Sequence, residues 1–202
     1  MHDVVDLERL PLDALAPRDR IVKTASELFY RFSVHTVGVD RIIAESGVAK
    51  MTFYKHFPSK ANLVAAYLRH KNEIWLQMLA SATGKAGLSP LERVLAIFDA
   101  LDAGFRSPSF YGCPFVKGMA EFGPEANSPE IQAAIDIYFT GLHEFVATTV
   151  KPLELGEPEK TVVQILSLIQ GSIVMVQSTR DHSIARANRD AARLLLEDGM
   201  SA

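Results

Sequence analysis

Residues 50 to 57 read Lys-Met-Thr-Phe-Tyr-Lys-His-Phe, and most of these side chains suit a wet surface better than a core. On a helix, Phe53 and Phe57 lie four apart and share one face. Lys50, Met51, Thr52, Tyr54, Lys55 and His56 are then left to project outward. The chemistry available to such a face is binding. Lysines contact phosphate oxygens or guanine, hydroxyls contact phosphate, and a thymine methyl packs on Thr52 or Met51. Catalytic patterns are missing from the sequence. There is no H-E-x-x-H, C-x-x-C or G-x-S-x-G, no Gly-rich phosphate loop, and no Glu-x-x-His pair of the kind a di-iron bundle needs. The six histidines are scattered. The expectation is a protein with no catalytic residues, no metal and no cofactor.

A short helix can present those side chains only if something holds it. The stretch from Gly38 to Phe57, GVDRIIAESGVAKMTFYKHF, has the parts of a helix-turn-helix. Val39 to Ser46 fits a first short helix, with Gly38 at its N-cap and Val37 and Ile42 at staple spacing. Gly47 is a natural stop. Ile42, Ile43 and Val48 can form the clamp between the two helices. The second helix runs from about Lys50 to Phe57 and is ended by Pro58. Before this pair, Ile21, Ala25, Leu28, Phe29 and Phe32 line one face of a helix starting near Arg18. After it, Ser59 caps a longer helix from Lys60, with Leu63, Tyr67, Ile74 and Met78 along one side.

At this point the chain resembles a family. Ala25, Leu28 and Phe29, the run Val39 to Ile42, the segment GVAKMTFYKHF from Gly47 to Phe57, and Pro58–Lys60 followed by Leu63 are similar to the TetR/AcrR family of bacterial transcriptional regulators. Gly38 stands where that family commonly has Ser or Thr, and Ile43 where it commonly has Ala. The resemblance covers Arg18 to about Ile74. It implies that Lys50, Met51, Thr52 and Lys55 face the major groove, and that Tyr54, His56 and Lys60 hold phosphates. Lys60 is aided by the helix N-terminus beside it. Thr36 and Arg41 are implied to touch the backbone on the opposite flank.

The remainder also reads as helix. Pro90 opens a helix carrying Leu91, Val94, Leu95, Phe98, Leu101 and Phe105. Pro114 to Phe122 is a short piece, Pro129 starts another, and two more span about Glu157–Thr179 and Ser183–Glu197. No alternating strand pattern occurs. The expected fold is all-α, about nine helices. Residues 1–17 are expected as a flexible leader, 18–62 as the helix-turn-helix domain, and 63–202 as a ligand-binding and dimerisation domain.

The resemblance implies a cavity among the helices of 60–180, with Trp75, Met78, Phe98, Leu101, Phe105, Phe115, Met119, Phe122, Tyr138 and Phe145 as candidate walls. Such a lining suits an apolar or aromatic effector, although each of these residues could equally be core. Cys113, in the unusual stretch Tyr111–Phe115, is a further candidate. At a helix start its thiol could sense oxidants or electrophiles, the competing reading being a buried inert thiol. The resemblance also implies a homodimer through the helices near 157–179 and 183–197. Consistent with this, Val162 to Val176 is apolar nearly all round, and Gln164, Ser167, Gly171 and Ser178 form a stripe of mostly small residues on one sector.

Composition sets the outer limits. The 202 residues are 48% hydrophobic and 22% charged, ordinary for a globular chain. The net charge of −3 hides an asymmetry. Arg18 to Lys60 holds eight basic against four acidic side chains, net +4, leaving −7 for the rest. One cysteine precludes an internal disulfide, and the apolar run Val162–Val176 is too short and too interrupted to be expected to span a membrane. A cytoplasmic regulator is expected, most simply a repressor of a palindromic operator. An activator, a ligand-independent regulator, a helical enzyme and a helical protein-interaction module are the competing classes.

Overall fold

The computed structural model describes residues 7–122 and 128–201, and within them the chain is all-α. Nine α-helices make up most of it: α1 Pro17–Phe32, α2 Val39–Ser46, α3 Lys50–His56, α4 Lys60–Thr83, α5 Pro90–Phe105, α6 Pro114–Glu121, α7 Pro129–Val150, α8 Pro158–Thr179 and α9 Ser183–Ser201. Two single 3-10 turns, Leu12–Ala14 and Lys151–Leu153, accompany them. No strand occurs among the described residues.

The helix starts have local causes. Proline occupies the first position of α1, α5, α6, α7 and α8, where its missing N–H costs nothing and its fixed φ suits the helix. Ser89 closes a full capping box on α5: its Oγ accepts from the Glu92 amide at 3.3 Å, and Glu92 Oε2 accepts from the Ser89 amide at 2.8 Å. Ser59 caps α4 through the Asn62 amide at 3.1 Å. Gly38 caps α2 with extended backbone alone and no side-chain bond, so the departure from Ser or Thr does not move the start of that helix.

The chain divides into two compact units. The first holds residues up to Ile74 together with Pro114–Tyr138. In it α1 packs on α2 and α3, around Ile21, Ala25, Phe29, Val37, Ile42, Phe53 and Leu63, none of them more than 2% exposed. Phe29 meets Tyr67 of α4 edge-on at 5.6 Å.

Residues 7–16 of this unit lie within the stretch expected as a flexible leader, yet they are packed. Leu7 and Leu15 are buried. Lys23 donates to the Leu10 carbonyl and, at 3.2 Å, to that of Glu8. Glu8 also pairs with Lys71 at 3.0 Å and approaches buried His70 at 3.5 Å. Polar contacts to α1 and α4 order this segment, and they leave no periodic trace in the sequence. Residues 1–6 of the expected leader lie outside the described residues.

The second unit holds Trp75–Cys113 and the chain from Phe139 onward. Its core is α5, α8 and α9 packed on one another. α5 buries Val94, Leu95, Ile97, Phe98, Leu101 and Phe105. Two polar ties fix α9. Asn188 Nδ2 donates to Ser172 Oγ on α8 at 2.8 Å, and Arg189 pairs with Asp99 on α5 at 2.8 Å. By length and composition α8 could cross a membrane, although its apolar run was expected to be too short. Its Ile165, Ile169, Ile173 and Val176 are spent on this core.

Candidate nucleic-acid interface

The interface begins at a backbone requirement. Gly47 has φ 63° and ψ 29°, the left-handed conformation that ends α2 and turns the chain toward α3. A side chain there would be strained, and its Cβ would lie 2.6 Å from Arg20 Nη2. That guanidinium donates to the Gly47 carbonyl at 3.2 Å, so α1 grips the turn directly. Arg20 escaped the sequence reading because its partner lies 27 positions away.

Across the turn, Phe53 is fully buried and Phe57 is 3% exposed, with ring centroids 6.2 Å apart. This anchoring aims the opposite face outward. Lys50, Met51, Tyr54, Lys55 and His56 are all exposed, Met51 by 84%, and Thr52 is half-buried. Tyr54 rests edge-on against Phe53 at 5.3 Å, which steadies its ring while the residue stays 44% exposed. An exposed methionine beside two lysines and a tyrosine has the chemistry to meet methyl groups and phosphates together.

The flanking residues are placed differently. The Thr36 hydroxyl donates to the Phe32 carbonyl at 2.6 Å, so its proton is committed within the chain. Arg41 pairs with Glu45 at 2.7 Å and lies over the Phe32 ring at 4.8 Å. Lys60, half-buried at the start of α4, sits 5.9 Å over the Phe29 ring. Burial pulls its ammonium below the usual lysine range, against the opposing pull of the Glu121 carboxylate.

Acids thin the positive charge of this face. Asp40 stands 3.6 Å from Lys50, Glu45 holds Arg41, and Asp19 lies 3.7 Å from Arg18. These exposed pairs are worth little individually. A phosphate that recruits Lys50 or Arg41 must nevertheless displace a carboxylate.

The residues expected to wall a cavity are largely core. Phe98, Leu101, Phe105, Cys113, Phe115 and Tyr138 are buried, and the Phe115 and Tyr138 rings stack at 3.6 Å. Phe122 and Phe145 are half-buried, and Met119 is 49% exposed. Trp75 is half-buried, and its Nε1 is covered without a hydrogen-bond partner among the described residues. In the second unit a cavity of about 480 Å³ lies among α4, α5 and α9, and of the expected residues it takes in only Met78. Lys85, Glu92, Asp99 and Arg189 also line it. Charged side chains thus edge a lining that is otherwise mostly apolar.

Comparison with known proteins agrees with this geometry. Residues 21–67 match the family described as bacterial regulatory proteins, tetR family. An uncharacterised HTH-type transcriptional regulator of Lactococcus lactis is 21% identical over 184 residues, covering 89% of this chain and 93% of that protein. The HTH-type transcriptional activator FasR of Mycolicibacterium smegmatis is 39% identical over 67 residues, covering 33% of this chain and 30% of FasR. Among solved structures, a TetR-family regulator from Streptomyces coelicolor superposes with a TM-score of 0.82 at 26% identity, covering 91% of this chain and 96% of that one. Residues 21–67, which hold the Gly47 turn and the face that Phe53 and Phe57 orient, thus carry the helix-turn-helix of the tetR family, and the chain is a TetR-family, helix-turn-helix transcriptional regulator.

Proposed function

We propose that the chain represses transcription in the cytoplasm by occupying a palindromic operator as a homodimer, and that an apolar or aromatic small molecule releases it. The observation that carries this reading is the outward set on α3, Lys50, Met51, Thr52, Tyr54, Lys55 and His56, held by two buried phenylalanines. Lys60, Thr36 and Arg41 supply the flanking phosphate contacts. For Thr36 and Arg41 this requires exchanging the internal partners described above.

One seven-residue helix makes few base contacts. Two copies reading half-sites one helical turn apart provide the missing specificity. Exposed apolar side chains on α8 and α9 support pairing. Val163 (57% exposed), Ser167, Val174, Met175 and Ser178 lie along α8, and Leu194 (68%) on α9. Ser167 and Ser178 return their hydroxyls to the Val163 and Val174 carbonyls at 2.8 and 2.9 Å, so covering them strands neither hydroxyl. A Cβ at Gly171 would meet nothing within 4 Å, leaving room for a second helix.

In this account residues 18–62 bind DNA and 63–202 hold the effector and the dimer contact. The unpartnered Trp75 N–H supports an effector carrying one acceptor. An effector acts only through its different affinity for the DNA-competent and released states.

Selection of bound duplexes from a random pool, followed by sizing of the complex, tests the reading. The expected product is a dyad-symmetric site carrying two chains. Recovery of no preferred sequence would favour a protein-interaction module. A promoter–reporter fusion then gives the sign of regulation.

A further inference from the structure

A set of contacts made by α6 on the turn between α1 and α2 has no part in the α3 surface. Ser33, with φ 74° and ψ 156°, turns the chain out of α1. The Val34 and His35 amides that follow lie outside both helices and need an acceptor. Glu121, the last residue of α6, supplies it: its Oε2 lies 3.1 Å from the Val34 nitrogen and 3.3 Å from that of His35. The Glu121 carbonyl stands 3.1 Å from His35 Nε2, and Phe122 stacks on the His35 ring at 5.1 Å. One turn earlier, Lys117 donates to the Tyr30 carbonyl at 3.3 Å, at the end of α1.

We infer that Glu121 is a positioning residue for DNA binding, its carboxylate clasping the α1–α2 turn and so fixing where α2 begins. The inference rests on the reading of α3 as the DNA face, because α2 is the helix against which α3 is set. Charge makes these two hydrogen bonds stronger than amide–carbonyl ones. At 3.1 and 3.3 Å both are also sensitive to place, since a shift of α6 by about an ångström takes them beyond bonding distance. The same carboxylate is the acid that acts on Lys60 at the start of α4. One side chain thereby clasps the turn before α2 and lies within electrostatic reach of the start of α4.

Two measurements on the full chain decide the point. The first is amide hydrogen exchange of the free protein for wild type, Glu121→Ala and Glu121→Gln. Exchange at Val34 and His35 is expected to speed up roughly tenfold or more in Glu121→Ala, with protection elsewhere and the melting temperature nearly unchanged. Glu121→Gln keeps one acceptor oxygen and should fall between.

The second is affinity for a duplex selected by the wild-type chain, read across a salt series. Glu121→Ala is expected to bind roughly tenfold more weakly at every salt concentration. The salt slope should not change, because no phosphate contact is lost. Tighter binding with a steeper slope would overturn the inference and make Glu121 only a like charge near DNA. Unchanged exchange at the two amides would overturn it equally. If the wild-type chain selects no duplex, the reading of α3 fails, while the exchange measurement still decides whether the clasp exists.

Discussion

At the scale of single residues, the face proposed to meet DNA is a balance of cations and the acids beside them. Lys50 has Asp40 at 3.6 Å and Arg41 has Glu45 at 2.7 Å, whereas Met51 stands in the open. Removing the negative charge of Asp40 without changing its shape should free Lys50. Asp40→Asn is expected to raise affinity for random-sequence DNA by about two- to fivefold at low salt, an effect of the size of one exposed ion pair. Less change is expected on the preferred site, so the specificity ratio should fall. Competition binding with random and selected duplexes checks this, and equal gains on both would count against it. The outward residues were legible in the sequence because Phe53 and Phe57, four apart, declare the inner face. Arg20, Glu8 and Glu121 were not. Their partners lie 27, 63 and 87 positions away, and periodicity reports which side of a helix is apolar, not what a distant side chain will meet.

At the scale of elements, the turn and the N-terminal segment each carry a test. Gly47→Ala forces an alanine into the left-handed region, which costs about 1–2 kcal/mol. Denaturant unfolding should show that loss, with operator binding reduced beyond it, because Arg20 must also give way. Ordinary stability for the alanine variant would mean that the turn adopts another conformation.

The segment 7–16 depends on Glu8, whose carboxyl is held down at about 2, first by His70 and then by Lys71, against a burial effect that pushes the other way. Its folded pKa is below the unfolded value. The stabilisation is therefore complete above about pH 5 and fades as the pH falls toward 2. Wild type should melt above Glu8→Gln at neutral pH, and the difference should close on acidification. A difference independent of pH would remove Glu8 from the account.

Helix existence and most boundaries were readable, since prolines, Ser59 and Gly47 mark the ends where caps and breaks belong. The packed N-terminal segment was not, because lysine and carboxylate contacts at Glu8 and Leu10, followed by a single 3-10 turn, leave no hydrophobic period.

For the whole molecule, the question is how one short recognition helix becomes specific. The all-α fold and the family follow from the chain itself and from its relatives. The proposed dimer rests on the exposed apolar side chains of α8 and α9, whose exposure the sequence only hinted at through an all-round apolar helix. The cavity walls were the least legible part. An aromatic that lines a pocket and one that fills a core have the same type and spacing, and stacked Phe115 and Tyr138 fill a core.

The outward face of α3 is proposed to be what meets DNA. This is tested most directly by comparing wild type with the double variant Lys50→Ala, Tyr54→Ala on the duplex that the wild-type chain selects, as a function of salt. The account predicts loss of sequence preference, together with a shallower dependence of log affinity on log salt, by about one for each lysine–phosphate contact removed. Binding by the double variant with its preference and salt dependence intact would contradict it.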